Sequence, residues 1–238
     1  MSVFFSRDHE HFLERMATYL LFNILWTLVL WVLGIGKLVE SGLGDYISHF
    51  TNWSWTMSAI FFTAETASKL FMCSERNFLA LYAVGVLFWL ANGMVWLVFF
   101  LVFVMFGDNS NVLTDLTTEH GGDLTMGFAL NMNTVFHYLP LIVMLFYIFF
   151  QQRLIGWTLS ELFYRKCFEK RPFFSWCYLL YILFGPLFAL GIYYACFDIG
   201  KVYKIVTPVG VLILLALFVG FVCNGITLTV LRRRYVKN

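Results

Sequence analysis

Residues 78–106 read FLALYAVGVLFWLANGMVWLVFFLVFVMF, a run with no charged side chain and a single amide, Asn92. A helix needs roughly 20 consecutive apolar residues to cross the hydrocarbon core of a bilayer. This run exceeds that length, so it can tilt or continue past the membrane. Backbone polar groups in lipid have no water to bond, and a helix satisfies them internally. Residues 78–106 therefore read as a transmembrane helix, and the rest of the chain is measured against them.

Five more segments follow the same pattern: Ala17 to Leu38, Ile47 to Ala67, Met126 to Phe150, Phe173 to Phe197 and Ile205 to Leu231. The whole chain is 61% hydrophobic, 20% aromatic and only 13% charged. Soluble domains carry about a quarter charged residues, so this chain has too little charged surface to face water all round. The expected fold is all-α, a polytopic bundle of six transmembrane spans in one membrane domain over residues 1–238. No repeat, low-complexity linker or soluble domain interrupts it.

The 16 Lys and Arg residues test the span count independently. With alternating sides, Arg7, Arg15, Lys69, Arg76, Arg153, Arg165, Lys166, Lys170, Arg171, Arg232, Arg233, Arg234 and Lys237 fall on one side. Only Lys37, Lys201 and Lys204 fall on the other. Basic residues near helix ends resist translocation, so both termini are expected in the cytoplasm. The segment from Gly107 to Thr125 carries Asp108, Asp115, Glu119 and Asp123 without a basic residue, as an outer loop would. The first sixteen residues are too charged for a cleavable signal and read as an interfacial helix leading into a signal-anchor span.

Other classes find no support. The net charge of +2 is set by topology, and nothing indicates nucleic-acid binding. The basic cluster YRKCFEKR (164–171) is read first as a topology signal and only second as a contact for anionic head groups. The 5 cysteines (73, 167, 177, 196 and 223) show no CxxC spacing, so neither a disulfide framework nor a zinc site is expected. Juxtamembrane Cys167 is a weak palmitoylation candidate. DHEH at 8–11 reads as a solvated face rather than a metal site. No metal or cofactor is expected. The last span has no lysine for a retinal Schiff base, and no nucleophile-elbow, zincin or dinucleotide motif occurs.

Polar groups inside spans are costly and attract functional attention. In the second span, Thr51, Ser54, Ser58 and Glu65 lie within about 60° of one another at 100° per residue. They form one stripe facing the bundle interior. Ser and Thr also serve as close helix contacts in membranes, so Ser54 and Ser58 are read as packing or pocket lining. Glu65, near the cytoplasmic end, is expected to reach water or to pair with Lys69 at i+4. Of the 5 histidines only His137 lies inside an apolar run. Asn133 stands one turn before it on the same face, and Pro140 removes a backbone hydrogen bond beside it. A neutral imidazole there can take a proton from a hydroxyl or simply bridge helices, and the residues leave both open.

Two of these segments resemble a known family. YISHFTNWSWTMSAIFF (46–62) is similar to the start of the second span in the androgen-induced and androgen-dependent TFPI-regulating membrane proteins. There a Thr opens an aromatic-rich helix, as Thr51 does after His49 and Phe50 and before Ile60, Phe61 and Phe62. NMNTVFHYLPLIVMLFYIF (131–149) is similar to a later span in which a His precedes a Leu-Pro step. DIGKVYKI (198–205) echoes a Gly-x-Val-Tyr-Pro segment. His137 stands closer to its proline than in that family, and Lys204 takes the place of the last proline.

The resemblance implies a threonine hydrolase of fatty acid esters of hydroxy fatty acids. Thr51 would be the nucleophile and His137 its general base. Asn52, Ser54, Asn133 and Tyr138 would be candidate oxyanion donors, with Ser58 lining the pocket. The substrate would be a lipid entering from the bilayer of the endoplasmic reticulum or plasma membrane. With the spans as drawn, Thr51 lies about 6 Å and His137 about 16 Å from the outer edge. Two other readings compete: a small-solute or lipid transporter using the polar stripe, Glu65 and His137, and a non-catalytic scaffold subunit. In the latter, Ala216, Gly220 and Asn224 would form the helix contacts.

Overall fold

The computed structural model describes residues 2–71, 78–106, 126–151, 172–197, 202 and 208–236, with side chains described over most of these. Cys73, Cys167, the DHEH side chains, the basic cluster at 164–171 and the acidic segment 107–125 lie outside the described residues. The elements are α1 (Ser2–Ser41), α2 (Leu43–Ser48), α3 (Phe50–Phe71), α4 (Phe78–Phe106), α5 (Met126–Phe149) and α6 (Pro172–Cys196). They are followed by α7 (Val209–Phe218), a π-helical turn (Val219–Asn224) and α8 (Gly225–Val236), which run on as one rod.

Four stretches are long and apolar enough to cross a membrane: Leu13–Ser41, Tyr82–Val102, Trp176–Cys196 and Val209–Leu231. The outward faces of the other three carry, beside the more buried Tyr82–Val102, exposed Val39, Trp176, Phe188 and Leu214, apolar surface that a soluble protein would cover. The protein is an all-helical membrane protein. In the most apolar 18-residue window of each, Tyr82–Val102 is 61% buried and Leu13–Ser41 only 22%, so α4 is the central helix and α1 a peripheral one.

Ring contacts give the directions. Phe61 of α3 meets Phe88 of α4 at 5.5 Å, and Phe88 meets Tyr147 of α5 at 6.0 Å. Eleven residues further along α4, Phe99 meets Tyr138, nine residues earlier on α5. Thus α5 runs antiparallel to α4 and parallel to α3. On α6, Tyr178 faces Tyr82, Tyr181 donates to the Val86 carbonyl, and Pro186 faces Gly93, so α6 runs parallel to α4. Successive long helices alternate in direction.

The boundary of the second segment differs from the sequence reading. Instead of one helix starting at Ile47, α1 ends at Gly42, whose φ of 79° suits a residue without Cβ. The short α2 follows, and the chain extends at His49 (φ −99°, ψ 120°) before α3 begins at Phe50. The Asn52 N–H bonds to the His49 carbonyl at 3.0 Å and sets the start of α3. Facing it, α1 packs closely because Gly34 leaves room for the Trp55 indole, which donates to the Leu30 carbonyl at 2.6 Å.

The contact between α4, α6 and the π-helical turn follows from Pro186. A proline inside a helix leaves the carbonyl four residues earlier without its N–H partner. That carbonyl, Ile182, instead accepts from the Asn224 side chain at 2.8 Å, and Asn92 donates to Asn224 Oδ1 at 2.8 Å. Ala216, Gly220 and Asn224 are buried, as expected of a helix-contact stripe. Asn224→Leu should strand both the Ile182 carbonyl and the Asn92 amide. A loss of about 2 kcal/mol is expected, readable as a lower unfolding midpoint in detergent, while Asn224→Gln should lose less.

Candidate functional site

The chain buries polar groups at two levels. At the level where α3 begins, Thr51 is half-buried in its first turn. Further along α3, Thr56, Ser58, Thr63 and Thr66 donate to the carbonyl four residues back. Thr51 is not among them. The carbonyl at that spacing, Ile47, lies beyond the break at His49 and accepts the Trp53 indole N–H at 2.7 Å. The N–H groups of the first turn of α3 sit at Thr51 itself, and that of Asn52 is taken by the His49 carbonyl.

The other predicted residues separate in role. Asn52 is buried and donates to the Tyr46 carbonyl at 2.9 Å. Ser58 donates to the Ser54 carbonyl at 2.9 Å, and both serines are buried, as helix-contact residues would be. His137 and Tyr138 are half-buried on α5, with Tyr138 edge-on to Phe99 at 5.5 Å. The Asn133 side chain lies outside the described residues.

The register between α3 and α5 bears on Thr51 and His137. Tyr147 meets Phe61 at 5.2 Å and Phe62 at 5.5 Å. These helices run the same way at about 1.5 Å per residue. Ten residues back from each contact are Thr51 and Asn52 on one helix and His137 on the other, at a common level. Phe50 and Tyr138 accordingly belong to the same apolar cluster with Leu97 and Val98. Counted this way the two residues share a level, because α5 starts at Met126, eleven residues before His137, and α3 at Phe50, one before Thr51.

At the other level lies a polar cluster that sequence reasoning did not assemble. Tyr19 of α1 donates to Glu65 Oε1, and its hydroxyl stands 3.3 Å from that of Tyr147. Lys69 Nζ is 3.8 Å from the same Glu65 oxygen. Gln151 donates to the Tyr19 carbonyl at 3.1 Å and to Asn23 Oδ1 at 2.6 Å. Glu65 is 1% exposed. The expectation that it reaches water is corrected, since α1 and α5 close over it, while its proximity to Lys69 is as expected. The only local signal was the spacing of Tyr19 and Asn23 on one face of α1.

Between the two levels, Phe61, Phe62, Phe88 and Tyr147 are buried and in mutual ring contact. No cluster of three metal-binding side chains occurs among the described residues. Comparison of the chain with protein-family models, with curated proteins and with solved structures finds no match.

Proposed function

We propose that the protein is an intramembrane lipid esterase with Thr51 as nucleophile and His137 as general base. The observation that supports this reading is the common level of the two residues on neighbouring parallel helices. The Thr51 hydroxyl, unlike those of Thr56, Ser58, Thr63 and Thr66, does not donate to the carbonyl four residues back. In the reaction, Thr51 Oγ attacks the ester carbonyl as His137 takes its proton. The tetrahedral oxyanion would be met by the first-turn N–H groups of α3, where the helix dipole favours negative charge.

Collapse of the intermediate expels the alcohol, which takes the proton from His137, and leaves an acyl-threonine. Water, deprotonated by His137, then releases the acid and restores both residues. Asn52 is already bonded to Tyr46, which removes it from the first choice of oxyanion donors. A substrate with two acyl chains, such as a fatty acid ester of a hydroxy fatty acid, suits a site reached from lipid.

The proposed topology is six spans with both termini cytoplasmic, which sets Thr51 in the outer half of the membrane. The membrane is that of the endoplasmic reticulum or the cell surface. The aromatic layer between the two polar levels favours the esterase over the transporter, which would need a polar path through it. The scaffold reading makes no use of the unengaged Thr51 hydroxyl.

Labelling with a serine/threonine-directed fluorophosphonate tests the assignment. Wild type should label, Thr51→Ala should not, and His137→Ala should label at least about 100-fold more slowly. Equal labelling of all three proteins, or none in any, would remove Thr51 from catalysis.

A further inference from the structure

The short helix α2 is held in an unusual way. None of its residues is buried, and Leu43 and Ile47 are exposed. It therefore lacks the apolar anchoring that fixes the long helices. It is bounded on one side by Gly42, at a φ of 79°, and on the other by the extended His49. Both are points where the helical hydrogen-bond ladder is broken.

What holds it down is a set of side-chain bonds to its last three carbonyls, which a helix end leaves without internal partners. Asn52 donates to Tyr46 at 2.9 Å, Trp53 donates to Ile47 at 2.7 Å, and the Tyr193 hydroxyl donates to Ser48. A fourth bond joins the Tyr46 hydroxyl to Thr56 at 2.9 Å. Two of the latching residues immediately follow Thr51. The third, Tyr193, packs edge-on against Phe50, which immediately precedes it, at 5.1 Å.

We infer that α2 is a lid over the Thr51 end of the bundle, hinged at Gly42 and His49 and latched by Asn52, Trp53 and Tyr193. Swinging α2 away exchanges those three hydrogen bonds and the Tyr46–Thr56 bond for bonds to water and uncovers no large apolar surface of its own. The lid thus opens at far smaller cost than any long helix, as segments that admit ligands generally do. Its role in admitting an acyl-ester substrate rests on the esterase reading, whereas its hinge and latches do not.

Amide hydrogen exchange on the full-length protein in lipid nanodiscs tests it, with Trp53→Phe and Tyr193→Phe as latch variants. Tyr193→Phe removes only the donor, and Trp53→Phe keeps an aromatic ring while removing the indole N–H. Residues 43–48 should exchange faster than α3 in wild type, and roughly fivefold faster again in each variant, the equilibrium weight of one ordinary hydrogen bond. Exchange in α3 and α6 should stay unchanged, which separates an opened lid from a loosened fold. Exchange at 43–48 matching that of α3 and insensitive to both variants would overturn the lid. Faster exchange together with no fluorophosphonate labelling of any protein would sustain the lid and discard the esterase.

Discussion

Gly220→Ala should be the most damaging single-methyl change in the protein. A Cβ at this position would overlap the Leu183 carbonyl oxygen and stand 2.9 Å from its carbon. Backbone cannot rotate aside as a side chain can, so the rod containing the π-helical turn would have to withdraw from α6. Withdrawal also pulls Asn224 from the Ile182 carbonyl and from Asn92. Overpacking costs about 3 kcal/mol at the upper end of its usual range, and the lost polar bonds add to that. Thermal unfolding in detergent, followed by size-exclusion chromatography, should show a large fall in midpoint or no folded protein. Gly36→Ala is the control. A Cβ there meets nothing within 4 Å, and its midpoint should hold or rise slightly because alanine is the better helix former. Equal behaviour of the two variants would refute the close contact.

Tyr19→Phe should give the second large effect. It removes one oxygen from a fully buried position and leaves the ring, so packing changes little. The Glu65 carboxyl then loses its donor from α1, while its other oxygen, Oε2, already lacks a partner among the described residues. Hydrogen bonds to such groups are worth about 1.5–3 kcal/mol, and stranding the acceptor is what makes their loss expensive. A fall of about 3 kcal/mol is expected for Tyr19→Phe. Tyr147→Phe should lose less, because its hydroxyl stands 3.3 Å from a neutral phenol, whereas Tyr19 donates to a carboxylate. Glu65→Leu placed in the Tyr19→Phe background should recover part of the loss, since the stranded carboxyl is gone. Additive losses in the double variant would show that Tyr19 and Glu65 are not coupled.

Much of the architecture was legible along the chain. The apolar run at 78–106 and its counterparts read directly as helices, because burial in lipid demands a continuous apolar surface and leaves little room for other patterns. The stripe of Thr51, Ser54, Ser58 and Glu65 was visible from the helical period alone; the last three are buried and Thr51 is half-buried. Gly220 and Asn224 were recognisable as helix contacts for the same reason.

Less legible were the break at His49 and the existence of α2. Polar and aromatic residues around 43–53 fit either one helix or two, and the choice depends on bonds from Asn52, Trp53 and distant Tyr193. Pro186 could be read as a site of a missing hydrogen bond, but not that Asn224 would replace it. Pro140 announced a disturbance near His137 without indicating what lies opposite.

For this protein, then, local patterns along the chain were enough to set the helical class, the membrane setting and the inward faces of the helices. Each of those follows from residues within a few turns of one another. The levels and pairings came only from packing between helices: Phe61 and Phe62 against Tyr147, Glu65 beneath Tyr19, and the aromatic layer above it. Such relations join residues tens of positions apart. A helix can slide along its neighbour by a turn without changing its own pattern, so only side-chain packing between helices selects the register.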